Sequence, residues 1–207
     1  MSRRKFRPLA VAGLAAAAAF TAAAPASAGV LVQSAPNCAT PASSPVFSPW
    51  ADPTNYFLAP DGGFEDGAAG WTLDGASVGS GNESYGVSGA GSSSLNVPSG
   101  GDATSPTVCV GLEHPTLRFF VKKNSGGLLS SLRVDALVED NFGNVLTVPV
   151  GVTGGSSSWQ PAPQMVVVAN LLPLLPGAHT PVAYRFTSQG GSWQVDDFYV
   201  DPNGWKP

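Results

Sequence analysis

The chain has 207 residues, 12% of them charged, two cysteines and a formal charge of −4. Four of its ten basic residues, Arg3, Arg4, Lys5 and Arg7, lie in a leader-like start, so the remainder holds six basic against fourteen acidic residues, a formal −8. An acidic surface repels phosphate backbones and anionic lipid, which makes nucleic acid and membrane surfaces poor partners, and no later stretch offers the ~20 uninterrupted apolar residues of a membrane span.

After the basic start, Leu9 to Ala24 is apolar and alanine-rich, and Ala26-Ser27-Ala28 supplies an A-x-A cleavage pattern. Residues 1–28 therefore read as a signal peptide, and the mature protein as secreted and unanchored. Ser2-Arg3-Arg4-Lys5-Phe6 also fits a twin-arginine signal, whose passengers cross the membrane folded; the general secretory route fits the same residues. The mature length suffices for one domain with a real core. Glycine and proline, 25 and 19 residues, stay below the level of a disordered chain and read as turns between short strands.

Residues 29–58 are rich in Pro, Ser and Ala, with scattered aromatics Phe47, Trp50, Tyr56 and Phe57 and no period. They predict an irregular arm packed across the domain 59–207 through those rings and Cys38. Cys38 and Cys109 both lie in the exported part, where oxidising conditions favour a disulfide; closing that loop removes about 4 kcal/mol of unfolded-chain entropy. The alternatives, two free thiols or a shared metal, lack supporting histidines, and no CxxC spacing suggests redox chemistry.

Strand-type runs follow at 71–73, 93–97, 107–110 and 117–121, divided by Gly and Ser clusters. Leu132, Val134, Ala136 and Val138 share one face, while Arg133, Asp135 and Glu139 point the other way with Leu137 as the exception, and 140–144 turns the chain into 145–150 as a longer-loop hairpin. Further strands fit 165–169, 182–187 and 193–200. In 182–187, Val182, Tyr184 and Phe186 alternate with Ala183, Arg185 and Thr187. Leu171 to Pro176 is apolar but broken twice by proline, so it predicts a buried connection. With no capped helical period anywhere, the expected class is all-β, an antiparallel β-sandwich or jelly roll.

Two motifs at opposite ends of the mature part add to this: Asp61 to Trp71, DGGFEDGAAGW, and Ser192 to Pro202, SWQVDDFYVDP. With the serine-rich SSSLNV between them, they resemble carbohydrate-binding modules of the galactose-binding-domain-like jelly-roll type, closest to families 4, 9 and 22, over roughly 59–201. The resemblance implies a non-catalytic module that binds a polysaccharide or other glycan. It also implies a structural calcium ion where the GFE turn meets the last strand, at Glu65 and at Asp196 or Asp197, completed by backbone carbonyls. Asp196 is the preferred ligand, since Asp197 shares a strand face with Trp193 and Val195 unless a bulge resets the register. On the bland reading, Glu65 solvates a turn and one aspartate faces water.

Sugar recognition calls for rings that stack on pyranose faces and polar groups that read hydroxyls. Trp71, Trp159 and Trp193 fall inside strand patterns and are assigned to the core, leaving Tyr85, Tyr184, Trp50 and Trp205 as platforms. Arg118, Arg133 and Arg185 fall on polar strand positions and line one concave face, or else balance Asp135, Glu139 and Glu113. The expected ligand-binding set is Tyr184, Arg185, Arg118, Arg133 and Tyr85. Catalysis has little support: the two histidines lack metal spacing, Gly86-Val87-Ser88-Gly89 continues with Ala90 instead of completing a nucleophile elbow, and Glu139-Asp140 are adjacent, not opposed. The sequence thus predicts a secreted, monomeric, non-enzymatic carbohydrate-binding module, with an extracellular structural or protein-interaction domain as the rival.

Overall fold

A computed structural model describes residues 41–111, 115–140, 142–167 and 179–201. The expected signal peptide 1–28, Cys38, Leu171 to Pro176 and Trp205 lie outside these residues. Among the described residues the strands are β1 (Phe57–Leu58), β2 (Thr72–Asp74), β3 (Ser77–Ser80), β4 (Ser93–Val97), β5 (Asp102–Thr104), β6 (Val108–Gly111), β7 (Thr116–Glu139), β8 (Val145–Thr153), β9 (Gln160–Pro161), β10 (Met165–Val166) and β11 (His179–Asp201), and the helical content is one 3-10 turn, Ser48–Trp50.

All strand pairings are antiparallel. Runs expected as separate strands are halves of two long ones: 117–121 and 132–138 both belong to β7, and 182–187 and 193–200 both belong to β11. These two strands pair along most of their length, from Val182 opposite Val138 to Asp201 opposite Thr116, with register shifts near Gly191 and at Asp196/Tyr199. The first half of β7 and the second half of β11 form one layer with β1, β3, β4, β9 and β10; the other halves form a second layer with β2, β5, β6 and β8.

Glycines make the crossing between layers possible. Gly126 has φ +122, and a Cβ there would lie 2.4 Å from Ser130 Oγ and 2.9 Å from the Gly190 carbonyl, so no larger residue fits where the ladders bend. Alternate residues then face inward from both layers. Leu117, Phe119, Val121, Val195 and Phe198 meet Leu132, Val134, Val182, Tyr184 and Phe186 in one core. Phe186 packs edge-on against Phe119 and Phe198, with ring centroids 5.1 and 5.2 Å apart. Removing such a ring costs about 3–5 kcal/mol. The result is an antiparallel β jelly roll.

Candidate functional site

The glycine-rich bend and the closing strand are neighbours. The Phe198 N–H donates to the Gly62 carbonyl and the Ala59 N–H to the Phe198 carbonyl, both at 2.9 Å. A Cβ on Gly62 would come within 2.6 Å of that Phe198 carbonyl, so the bend closes only because this position is bare. Inside the bend, Asp61 accepts from the Asp66 and Ala69 N–H groups, and the Trp71 indole N–H caps the Pro60 carbonyl.

Asp197 is the bulge residue: its φ is 49°, and it returns Phe198 to the core face while Tyr199 turns outward. Asp196, Asp197 and Glu83 are buried together, and none of them meets a basic side chain within ion-pair distance among the described residues. Burial, with the neighbouring Asp197 and Glu83 charges adding to it, pushes the Asp196 carboxyl up to about 8. Burial also raises Asp197, helped by Glu83 and Glu65. Each acid nevertheless organises backbone. Asp196 accepts from the Glu83 N–H at 2.7 Å and the Asp197 N–H at 2.8 Å; Glu83 accepts from the Tyr85 and Val87 N–H groups; Asp197 Oδ2 accepts from the Ser88 N–H. The loop 83–88 is thereby pinned to β11.

This set fits a hard cation in part. Asp197 Oδ1 is fully buried with no hydrogen-bond partner, and it lies close against Gly63, where a Cβ would make a tight 3.3 Å contact with it. Glu65 is nearby but exposed. Its Oε1 accepts two N–H bonds, from Ser92 and Ser93 at 2.8 Å each, which hold the carboxyl below its usual range, while Oε2 has only a 3.3 Å contact with Ser92 Oγ. No three acidic, His or Cys side chains converge at metal distance among the described residues, so an ion here would complete its shell from carbonyls and water. Both Asp196 oxygens already accept an N–H; Asp197, the residue the strand pattern put in second place, has the open oxygen because the bulge resets the register.

The loop so pinned presents Tyr85 on the outer face of the first layer. Tyr85 is 49% exposed, yet its ring meets Trp50 at 5.1 Å and Phe120 at 5.4 Å, and its hydroxyl donates to the Trp159 carbonyl at 3.2 Å. Trp159, assigned to the core by its strand-like context, instead sits half-buried on this face with Lys122 Nζ 5.1 Å from its ring centre. Gln194 lies opposite Lys122 in the ladder. Three aromatic rings and Lys122 form one ledge; Gln194 is buried, its amide donating to Ser94 Oγ at 3.1 Å.

The arm closes one side of the ledge. Phe47 and Tyr56 bury themselves against Phe120 and Tyr199. Arg118 does not line an open face with the other arginines: it is 7% exposed, stacks over Phe47 at 4.5 Å, donates to the Ala162 carbonyl through Nε, and pairs with Asp52 Oδ2 at 3.0 Å. Asp52 also accepts from the Thr54 N–H and hydroxyl and from the Tyr56 hydroxyl. Burial raises its carboxyl, but these bonds outweigh that and leave it below the usual range.

Of the remaining expected ligand residues Tyr184 is corrected, and Arg133 and Arg185 follow the charge-balancing alternative. Tyr184 is in the core, its hydroxyl buried and unpartnered, so it offers no face to a ligand; its alternation with Val182 and Phe186 already marked that side. Arg133 and Arg185 lie on the outer face of the second layer, where both turn to Asp135, at 2.7 and 3.8 Å. Glu83, Asp52, Trp159 and Lys122 went unrecognised as site residues. Of these only Asp52 carried a local signal, the turn-forming Asp52-Pro53-Thr54.

No protein-family model matches the sequence, and no curated protein does. Among solved structures the chain is similar to the CBM22-1 xylan-binding domain of Paenibacillus barcinonensis Xyn10C, at 17% identity over 72% of this chain and 99% of that one, TM-score 0.49. It is similar to TmCBM61 in complex with beta-1,4-galactotriose at 19% identity, 70% and 97% coverage and TM-score 0.42. It is also similar to a cyclase from Fischerella sp. TAU at 14% identity, 72% and 100% coverage and TM-score 0.46. Carbohydrate-binding modules and an enzyme thus stand side by side among its likenesses.

Proposed function

We propose that the mature protein is a secreted, monomeric, non-catalytic carbohydrate-binding module that holds a glycan on the outer face of its first layer, against Trp50, Tyr85 and Trp159. The observation that carries this reading is Tyr85: half its surface is in water, while two ring contacts and a hydroxyl bond hold it still. Preorganised rings beside Lys122 supply stacking surface and a hydroxyl-reading group with little entropy left to lose. Affinity electrophoresis on gels of plant, fungal and cell-wall polysaccharides tests it. Retardation on at least one glycan, lost in Tyr85→Ala, is expected; migration unaffected by every glycan would overturn it.

A structural calcium ion belongs to the same proposal, with Asp197 Oδ1 as ligand, Glu65 Oε2 beside it and Asp196 holding the loop. It links ion to ledge, because the acids that would surround the cation also anchor Tyr85 through Glu83. A Cys38–Cys109 bridge, with Cys109 opposite Pro181 in the β6–β11 pairing, would fasten the arm; mass analysis of the unreduced protein reads it directly.

The rival, a protein-interaction domain, draws on Leu128, Leu129 and Phe142, which stand almost fully in solvent. It predicts no glycan retention at all.

A further inference from the structure

Beside the ledge, a recess of about 350 Å³ opens between the arm and β7, lined by Trp50, Asp52, Thr54, Arg118 and Gln164 among others. This is at the small end of ligand sites, which span roughly 300–1,000 Å³. It suits a single sugar residue. Trp50 belongs to both recess and ledge, through its 5.1 Å contact with Tyr85, so a glycan lying on the ledge reaches the recess without leaving an aromatic surface.

The charges at its floor are already matched. Arg118 and Asp52 are both more than nine-tenths buried and pair with each other at 3.0 Å. Asp52 has four hydrogen bonds and no oxygen left unused. Arg118 is in the opposite position: of its five N–H donors, two have protein acceptors among the described residues. The floor therefore offers donors but no net charge. A neutral hydroxyl-bearing group meets those donors at no electrostatic cost, whereas a carboxylate would sit beside Asp52 with Arg118, the one cation lining the recess among the described residues, already committed, a like-charge juxtaposition that is expensive out of water. The mature chain's formal −8 opposes an anionic ligand further.

We propose that this arm recess is a subsite for one neutral sugar residue of the bound glycan, and that the Asp52–Arg118 pair selects against uronic acids there. The proposal rests on the glycan reading above. Asp52 thus sets specificity by cancelling the charge of Arg118, whose remaining donors meet the ligand.

The test uses the full mature chain on gels of neutral glucan, galactan, mannan and xylan, each compared with its carboxylated form, oxidised at the primary hydroxyl for the first three and glucuronate-substituted for xylan. Wild type should bind the neutral polymer at least about tenfold more tightly. Asp52→Asn, which leaves Arg118 unneutralised, should lose most of that discrimination by gaining affinity for the carboxylated polymer. Gln164→Trp fills the recess from its exposed wall, gives up the Gln164 donation to the Tyr56 hydroxyl but not the ion pair, and should weaken neutral binding severalfold while the chain still folds cooperatively. Equal wild-type retention on neutral and carboxylated forms, or full retention by a folded Gln164→Trp, overturns the subsite and leaves the ledge reading standing. No retention of wild type on any polymer overturns both.

Discussion

The two outer faces of this molecule are built from the same two strands and differ in nearly everything else. On the first layer, β7 and β11 turn Arg118, Phe120, Lys122, Gln194 and Tyr199 outward, and the arm and the loop 83–88 add Phe47, Trp50 and Tyr85. On the second layer the same strands turn out Arg133, Asp135, Arg185 and Thr187, with no covering segment among the described residues beyond β8 at the edge. One face became aromatic and acquired walls of arm and loop; the other pairs Arg133 and Arg185 with Asp135 within the sheet. A binding surface here depends less on the strands, which both faces share, than on what the chain lays across them.

The contrast breaks most visibly at Arg118. Arg118→Ala strands Asp52 as an unpaired buried charge, a loss of about 3–5 kcal/mol, which for a domain of this size lowers the melting temperature on the order of 10 °C. Thermal denaturation checks this, and loss of glycan retention should accompany it because the arm walls the ledge.

Next in size is the acid cluster of Glu83, Asp196 and Asp197 on the first layer. Asp196 and Asp197 have folded-state values above the ordinary carboxylate range, Asp196 at about 8, so the folded chain binds more protons than the unfolded one between pH 4 and 8. Stability without a divalent cation is therefore highest near pH 4–5 and falls as pH rises toward 8. Calcium requires the ionised acids, so its stabilisation should grow over the same range. Melting curves in chelator and in calcium at pH 5 and pH 8 read both trends; curves indifferent to calcium at both pH values would remove Glu65, Asp196 and Asp197 from the site.

A smaller effect separates the faces by binding alone. Tyr85→Ala should weaken glycan binding about tenfold, or ~1.4 kcal/mol, with little change in stability, because the ring is half in water. Smallest of all, Arg185→Ala on the second layer should alter binding less than twofold and stability by under about 1 kcal/mol, since its ion pair with Asp135 is partly exposed and long.

Much of the body was legible in the residues. Ser93 to Val97 forms a strand with the expected bounds, the alternation from Leu132 to Val138 faces the core as its period required, and the GGFE and VDD motifs meet through Phe198 and Gly62. What was not legible depends on partners far along the chain. Arg118 and Arg133 look alike as polar positions of strand-type runs, yet both runs belong to β7, which crosses from one layer to the other between them, so they face opposite sides of the molecule. The Asp197 bulge changes which aspartate has an open oxygen, and a bulge leaves no mark on hydrophobic period. Trp159 reads as a strand residue because nothing near it in sequence reveals that Lys122 and Tyr85 will cover it.

Affinity electrophoresis of two variants on the same glycan gel tests the division of labour between the faces most directly: a Trp50→Ala, Tyr85→Ala, Trp159→Ala triple variant and an Arg133→Ala, Arg185→Ala double variant. The triple variant should run as in a glycan-free gel and the double variant should be retarded like wild type. Retention of the triple variant, with the double variant released, would put the glycan on the second layer and contradict the site described above.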